Sequence, residues 1–161
     1  LCFSPDAVEQ AKAALEAGAT IVTDTNMALA GISKPTLAKL GGKAVCLMAD
    51  EDVAREAKAR GVTRATVSME HAAKLDGPLI FAIGNAPTAL IRLHELIGEG
   101  AVSPALVIGV PVGFVNVVES KELFIGGDTP YIIARGRKGG SNVAAAIVNA
   151  LLYQIVKREG F

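Results

Sequence analysis

Residues 79–83 read Leu-Ile-Phe-Ala-Ile, an unbroken apolar run without the polar alternation of a half-exposed strand. A strand that is apolar on both faces has to be covered on both faces, and that is the situation of a parallel sheet clothed by helices. Similar runs recur, and strands are predicted at Thr20–Asp24, Lys43–Met48, Val62–Met69, Leu79–Gly84, Ala105–Val110 and Tyr131–Arg135. Segments with helical spacing alternate with them. Ser4-Pro5-Asp6 supplies a capping residue, a proline at the first helical position and an early acid, and Gly18 stops that helix. Val8, Ala11 and Leu15 form its inward stripe. Asp50 opens a second helix that buries Val53, Ala54 and Ala57 and ends at Gly61. Asn85 and Pro87 open a third, carrying Leu90, Ile91 and Ile97. Ser141 opens the last, which is apolar on most sides from Val143 to Ile155 and is expected in the core or in a subunit interface. The alternation predicts an α/β, three-layer αβα fold on a mostly parallel sheet of about six strands, as one domain over residues 1–161.

Composition narrows the function. Hydrophobic residues at 51% against 20% charged exclude a disordered chain. Sixteen Lys+Arg balance sixteen Asp+Glu, which argues against nucleic-acid binding through a broad basic surface, and 4% aromatics leave little for base stacking. Gly, Pro or charge interrupts every apolar run before the ~18 residues that a membrane span needs, so no membrane partner is expected. Cys2 and Cys46 lack metal-ligand spacing, and no secretory signal is visible. Neither a metal site nor a disulfide scaffold is expected, and a reducing cytoplasm is.

In an open α/β sheet, ligands sit beyond the carboxyl ends of the strands. The segments that follow the strands here are Asp24-Thr25-Asn26-Met27, Gly84-Asn85-Ala86-Pro87-Thr88, Gly109-Val110-Pro111-Val112-Gly113-Phe114 and Arg135-Gly136-Arg137-Lys138-Gly139-Gly140-Ser141. The last has three cations, then two glycines that permit close backbone approach, then the start of a long helix with its free N–H groups. Guanidinium groups add bidentate donors, so the expected ligand is an anion; the alternative is a solvated basic loop. The segment lacks the G-x-x-x-x-G-K-[ST] phosphate loop, and no G-x-G-x-x-G occurs, so the Rossmann-like layering comes without a dinucleotide fingerprint. Asn85 is either a helix cap or, with Thr88, a hydrogen-bonding partner of a polar ligand. Thr25 and Asn26 read as a turn or as part of the same pocket. Arg64 is either a charge that protects an edge strand or a ligand contact. His71 and His94 can transfer protons near neutrality, but each also fits a surface role.

Taken together, Phe3-Ser4-Pro5-Asp6-Ala7-Val8, Thr23-Asp24-Thr25-Asn26-Met27, Ile83-Gly84-Asn85-Ala86-Pro87-Thr88-Ala89-Leu90, Gly109 to Val115 with Glu119-Ser120-Lys121-Glu122, and Arg135 to Ser141 resemble the precorrin-8X methylmutases, also called cobalt-precorrin-8 methylmutases, of cobalamin biosynthesis. The pieces follow the family's order and extend over nearly all of the chain. The resemblance implies migration of a methyl group from C-11 to C-12 of a corrin-like polycarboxylate, giving hydrogenobyrinate or its cobalt form. It implies a homodimer and no organic cofactor, any cobalt belonging to the substrate. It also implies that Thr25, Asn26, Arg64, Asn85, Thr88, Arg135, Arg137, Lys138 and Ser141 contact the substrate. The family's catalytic histidine stands in a His-Ala motif shortly before Phe-Ser-Pro, which begins here at position 3, so it is expected upstream of Leu1. Neither His71 nor His94 matches that motif, and the catalytic residue stays unassigned. A corrinoid-binding fragment without turnover, or an α/β domain for a phosphorylated small molecule, are the competing expectations.

Overall fold

The structure is a computed structural model that describes residues 1–156. Along the chain run β1 (Cys2–Phe3), α1 (Ala7–Glu16), β2 (Thr20–Thr23), α2 (Asn26–Gly31), α3 (Lys34–Lys39), β3 (Lys43–Cys46), α4 (Glu51–Arg60), α5 (Arg64–Ala72), β4 (Leu79–Ile83), α6 (Pro87–Gly98), β5 (Leu106–Gly109), α7 (Val117–Glu122), β6 (Tyr131–Ile133) and α8 (Ser141–Ile155). The strands form one six-stranded sheet in the order β1-β6-β5-β4-β2-β3. Every pairing is parallel except that of β1 with β6, where Cys2 faces Ile133. Phe81 of the central strand lies opposite Val22 on one side and Val107 on the other.

The apolar run at 79–83 is explained by the two layers that it serves. Ile80 and Ala82 point into a core shared with Ala11 and Leu15 of α1, Ala28 of α2 and Ala144, Val148 and Leu152 of α8. Leu79, Phe81 and Ile83 point the other way, into a core with Met69 of α5, Leu90 and Leu93 of α6 and Phe124. Each face of the sheet is thereby removed from water, which is the dominant favourable term for such a chain. Five of the fifteen residues of α8 (Ala144, Ala145, Val148, Leu151 and Leu152) are buried in the first layer and Val143, Ile147 and Ile155 pack partly against it, so its apolar character is largely used within the chain.

Four expectations change. Val62–Met69 is not a strand: residues 64–72 form α5, because Ala65, Met69 and Ala72 fall at helical spacing and Thr63 Oγ1 accepts the Thr66 N–H at 3.1 Å as a cap. Arg64 therefore begins a helix and protects no edge. The sixth strand is instead β1, too short to show any periodicity in sequence. Ser4 belongs to that edge and not to a helix cap, since the Tyr131 N–H donates to Ser4 Oγ at 2.8 Å and the Ser4 N–H to Tyr131 O at 3.0 Å. Asn85 does not cap α6 either: Ala86 occupies the capping position, and the turn is held from elsewhere. Gly18 and Gly61, by contrast, stop their helices at positive φ as the sequence predicts. No helix among the described residues is long and apolar enough to cross a membrane.

Candidate functional site

From β2 the chain moves outward to β3 and then crosses back to β4 on the other flank of β2. The loops that leave β2 and β4 therefore diverge, and a crevice opens between them at the carboxyl edge of the sheet. The first turn of α8 enters this crevice. The result is an open cleft of about 480 Å³ lined by Thr25 and Met27 after β2, Gly84 and Asn85 after β4, Val112 after β5, and residues 139–142.

Asp24 ties the two diverging loops together. Its buried carboxylate accepts the Gly84 N–H at Oδ1 (2.9 Å) and the Asn85 and Ala86 N–H groups at Oδ2 (2.8 and 2.6 Å). Burial pushes this carboxyl above its ordinary range, and the three N–H donors only partly oppose that shift. Next to it, Thr25 Oγ1 accepts the Ala28 N–H at 3.0 Å, capping α2, and shares a 2.8 Å hydrogen bond with Ser141 Oγ. That bond joins the β2 loop to the head of α8.

Two glycines make this approach possible. A Cβ at Gly84 would lie 2.7 Å from Ser141 Cα and 2.8 Å from Gly140 O. At Gly139, with φ +157, a Cβ would lie 2.0 Å from Val110 O. The neighbouring Gly140 N–H donates to that same carbonyl at 2.7 Å, and the Gly113 N–H donates to Arg137 O at 3.2 Å. The loops after β5 and β6 are thus stitched together beside the cleft.

Thr25, Asn85 and Ser141 of the expected contacts line the cleft. Arg135, Arg137 and Lys138 are exposed on the segment that enters it at Gly139. Arg135 Nε is engaged by Glu122 Oε1 at 3.1 Å, and the Arg137 guanidinium stands over the Phe114 ring at 5.9 Å. Asn26 starts α2, Thr88 lies in the first turn of α6 and Arg64 starts α5; these three are not among the lining residues. Phe114 and Val115 are 82% and 79% exposed, and with Met27 and Val112 they give the basic rim an apolar companion. Neither histidine lines the cleft. His71 Nε2 is 3.0 Å from Glu56 Oε1, and His94 packs edge-on to Phe124 beside a smaller hollow. Among the described residues, no group of His, Cys, Asp or Glu is arranged to hold a metal ion.

Sequence reasoning placed Asp24 in a turn without its clasp on residues 84–86, although an acid directly after a buried strand was the available signal. Lys121 entered only as part of Glu119-Ser120-Lys121-Glu122, with no role of its own. It is fully buried, and Glu-Ser-Lys-Glu gives no hint of that.

Comparison with known proteins agrees with this geometry. The precorrin-8X methylmutase family pattern matches residues 1–154. The cobalt-precorrin-8 methylmutase of Salmonella typhimurium is 49% identical over 156 residues, 96% of this chain and 72% of that protein. The precorrin-8X methylmutase of Pseudomonas aeruginosa is 45% identical, with 94% and 73% covered. The crystal structure of precorrin-8X methylmutase from Thermus thermophilus superposes with a TM-score of 0.84 at 42% identity, covering 94% of this chain and 73% of that one. With the family pattern matched over residues 1–154 and these identities and this superposition in agreement, the chain belongs to the precorrin-8X methylmutase family.

Proposed function

We propose that this chain is an isomerase of cobalamin biosynthesis that moves a methyl group from C-11 to C-12 of precorrin-8X or cobalt-precorrin-8. The product is hydrogenobyrinate or its cobalt form, and cobalt, where present, arrives with the substrate. The reaction is an isomerisation: the bond from C-11 to the methyl carbon breaks as the bond to C-12 forms, and a proton lent to the ring before the shift is returned after it, so that no atoms are gained or lost overall.

The observation that carries this reading is an open cleft lined by the head of α8 and by the exposed Met27 and Val112, entered at Gly139 by the basic segment whose Arg137 stands over the exposed Phe114. A corrin-like substrate presents the matching chemistry, a flat apolar body edged with carboxylates. Cations and helix N–H groups hold the carboxylates, while Phe114, Met27 and Val112 meet the ring. Thr25, Asn85 and Ser141 supply polar contacts within the cleft, and Asn26, Thr88 and Arg64, which do not line it, are proposed as further contacts with the edge of the macrocycle. Holding the macrocycle in one orientation is this chain's part in catalysis. The proton donor that prepares the conjugated ring for the shift is not assigned to His71 or His94, since both are engaged elsewhere. We further propose that residues 1–161 act as one domain of a cytoplasmic homodimer; sedimentation equilibrium should read twice the chain mass, and a monomer would overturn that part.

Incubation with precorrin-8X, followed in the visible spectrum, tests the activity. Conversion to hydrogenobyrinate is expected, and a substrate spectrum that never changes argues against it. Arg137→Ala is expected to weaken product binding by about 1.5–3 kcal/mol, the worth of a charged hydrogen bond. Arg135→Ala should cost less, because Arg135 must first release Glu122. Glu122→Gln should accordingly tighten binding, and a titration showing it weakened would contradict the assignment of Arg135.

A further inference from the structure

We infer that Lys121 is a positioning residue: it holds two carbonyls of the basic loop inward and so turns the N–H groups of Arg137 and Gly139 toward the ligand's carboxylates. The inference deepens the proposed function and rests on it. Lys121 is 0% exposed, and its Nζ donates to Gly136 O at 2.7 Å and to Lys138 O at 3.0 Å. A lysine is almost never fully buried without a partner of opposite charge. Among the described residues no acid pairs with this one; the neighbouring Glu122 is exposed and engaged by Arg135. Burial pushes the amine below its ordinary range. A buried cation held only by backbone oxygens is expensive, so its placement under this loop calls for an explanation.

The loop's geometry supplies one. Across a planar trans peptide, C=O and the following N–H point in opposite directions. With Gly136 C=O and Lys138 C=O drawn to Lys121, the N–H groups of Arg137 and Gly139 face away from it. Neither donates to a protein acceptor among the described residues, whereas the next N–H, that of Gly140, is taken by Val110 O. Gly136 at φ +91 and Gly139 at φ +157 allow the backbone to adopt this course. Free N–H groups turned to one side form an anion-binding concavity, and Gly139 itself lines the cleft. The buried ammonium adds positive potential from beneath, where low dielectric strengthens it.

The test titrates hydrogenobyrinate, and its counterpart with the peripheral carboxylates converted to amides, into wild type, Lys121→Met and Arg137→Ala. Lys121→Met should weaken binding of the polyacid about tenfold or more, and of the amide form far less. In turnover the loss should fall on KM, with kcat retained. Equal losses for both ligands would mean that Lys121 merely supports the cleft, which overturns the inference. Wild type that binds neither ligand refutes the proposed function itself. If wild type binds the polyacid and Arg137→Ala weakens it while Lys121→Met does not, the Lys121 assignment alone fails. Should Lys121→Met not fold, the wild-type amide resonances give the answer: those of Arg137 and Gly139 should both move downfield on saturation with hydrogenobyrinate, and unmoved resonances overturn the inference.

Discussion

Alanine at position 84 is expected to destabilise the protein by about 2–3 kcal/mol and to abolish ligand binding at the cleft. The added Cβ would meet Ser141 Cα at 2.7 Å and Gly140 O and Ser141 N at 2.8 Å. All three are backbone atoms, so no side chain can rotate to relieve the contact. Either β4 or the head of α8 has to move. Movement of α8 breaks the Thr25–Ser141 hydrogen bond and withdraws the helix N–H groups from the crevice. Urea unfolding reads the first effect and product titration the second. A variant with the wild-type midpoint and affinity would show that β4 and α8 do not approach as described.

Asp24→Ala is the second large effect, with an expected loss of about 3 kcal/mol. Removing the carboxylate leaves the N–H groups of Gly84, Asn85 and Ala86 without their acceptor, at about 1–3 kcal/mol for each that stays buried and dry. Water reaching the exposed Asn85 limits the total. The β2 and β4 loops would then separate, with Thr25 displaced from Ser141. The carboxyl also predicts a pH dependence. Its folded value is raised above the ordinary 3.8, so between those two values the native state keeps a proton that the unfolded chain has released. The group's contribution is therefore complete below the ordinary value and declines as pH rises through the folded one. Urea stability measured across the acidic range should show this decline in wild type and lack it in Asp24→Ala. A contribution from Asp24 that grows with rising pH would contradict the burial assigned to it.

The layered architecture was legible because Leu79 to Ile83 has to be covered on both faces, and the structure divides those residues between two cores. What misled at Val62–Met69 was local composition. Val62, Ala65, Val67 and Met69 suit a strand as a run, and only the Thr63 cap and the 65-69-72 spacing reveal the helix. The six-residue helices α2, α3 and α7 are too short for a periodic signal, and β1 forms only because β6 offers it a partner. At the site, the basic glycine-rich loop announced itself because charge and glycine are visible residue by residue. The contacts that shape it were not visible. The clasp of Asp24 on residues 84–86 and of Lys121 on 136–138 joins positions far apart in the chain, and each uses backbone groups that every sequence possesses.

The most direct measurement is a titration of the wild-type chain with hydrogenobyrinate, followed in the visible spectrum at low and high salt. A basic rim gripping a polycarboxylate ring predicts saturation at one ligand per chain, a red-shifted bound spectrum, and an affinity that falls with salt and with Arg137→Ala. A spectrum that stays unchanged at saturating ligand, or binding indifferent to both salt and Arg137, would contradict it.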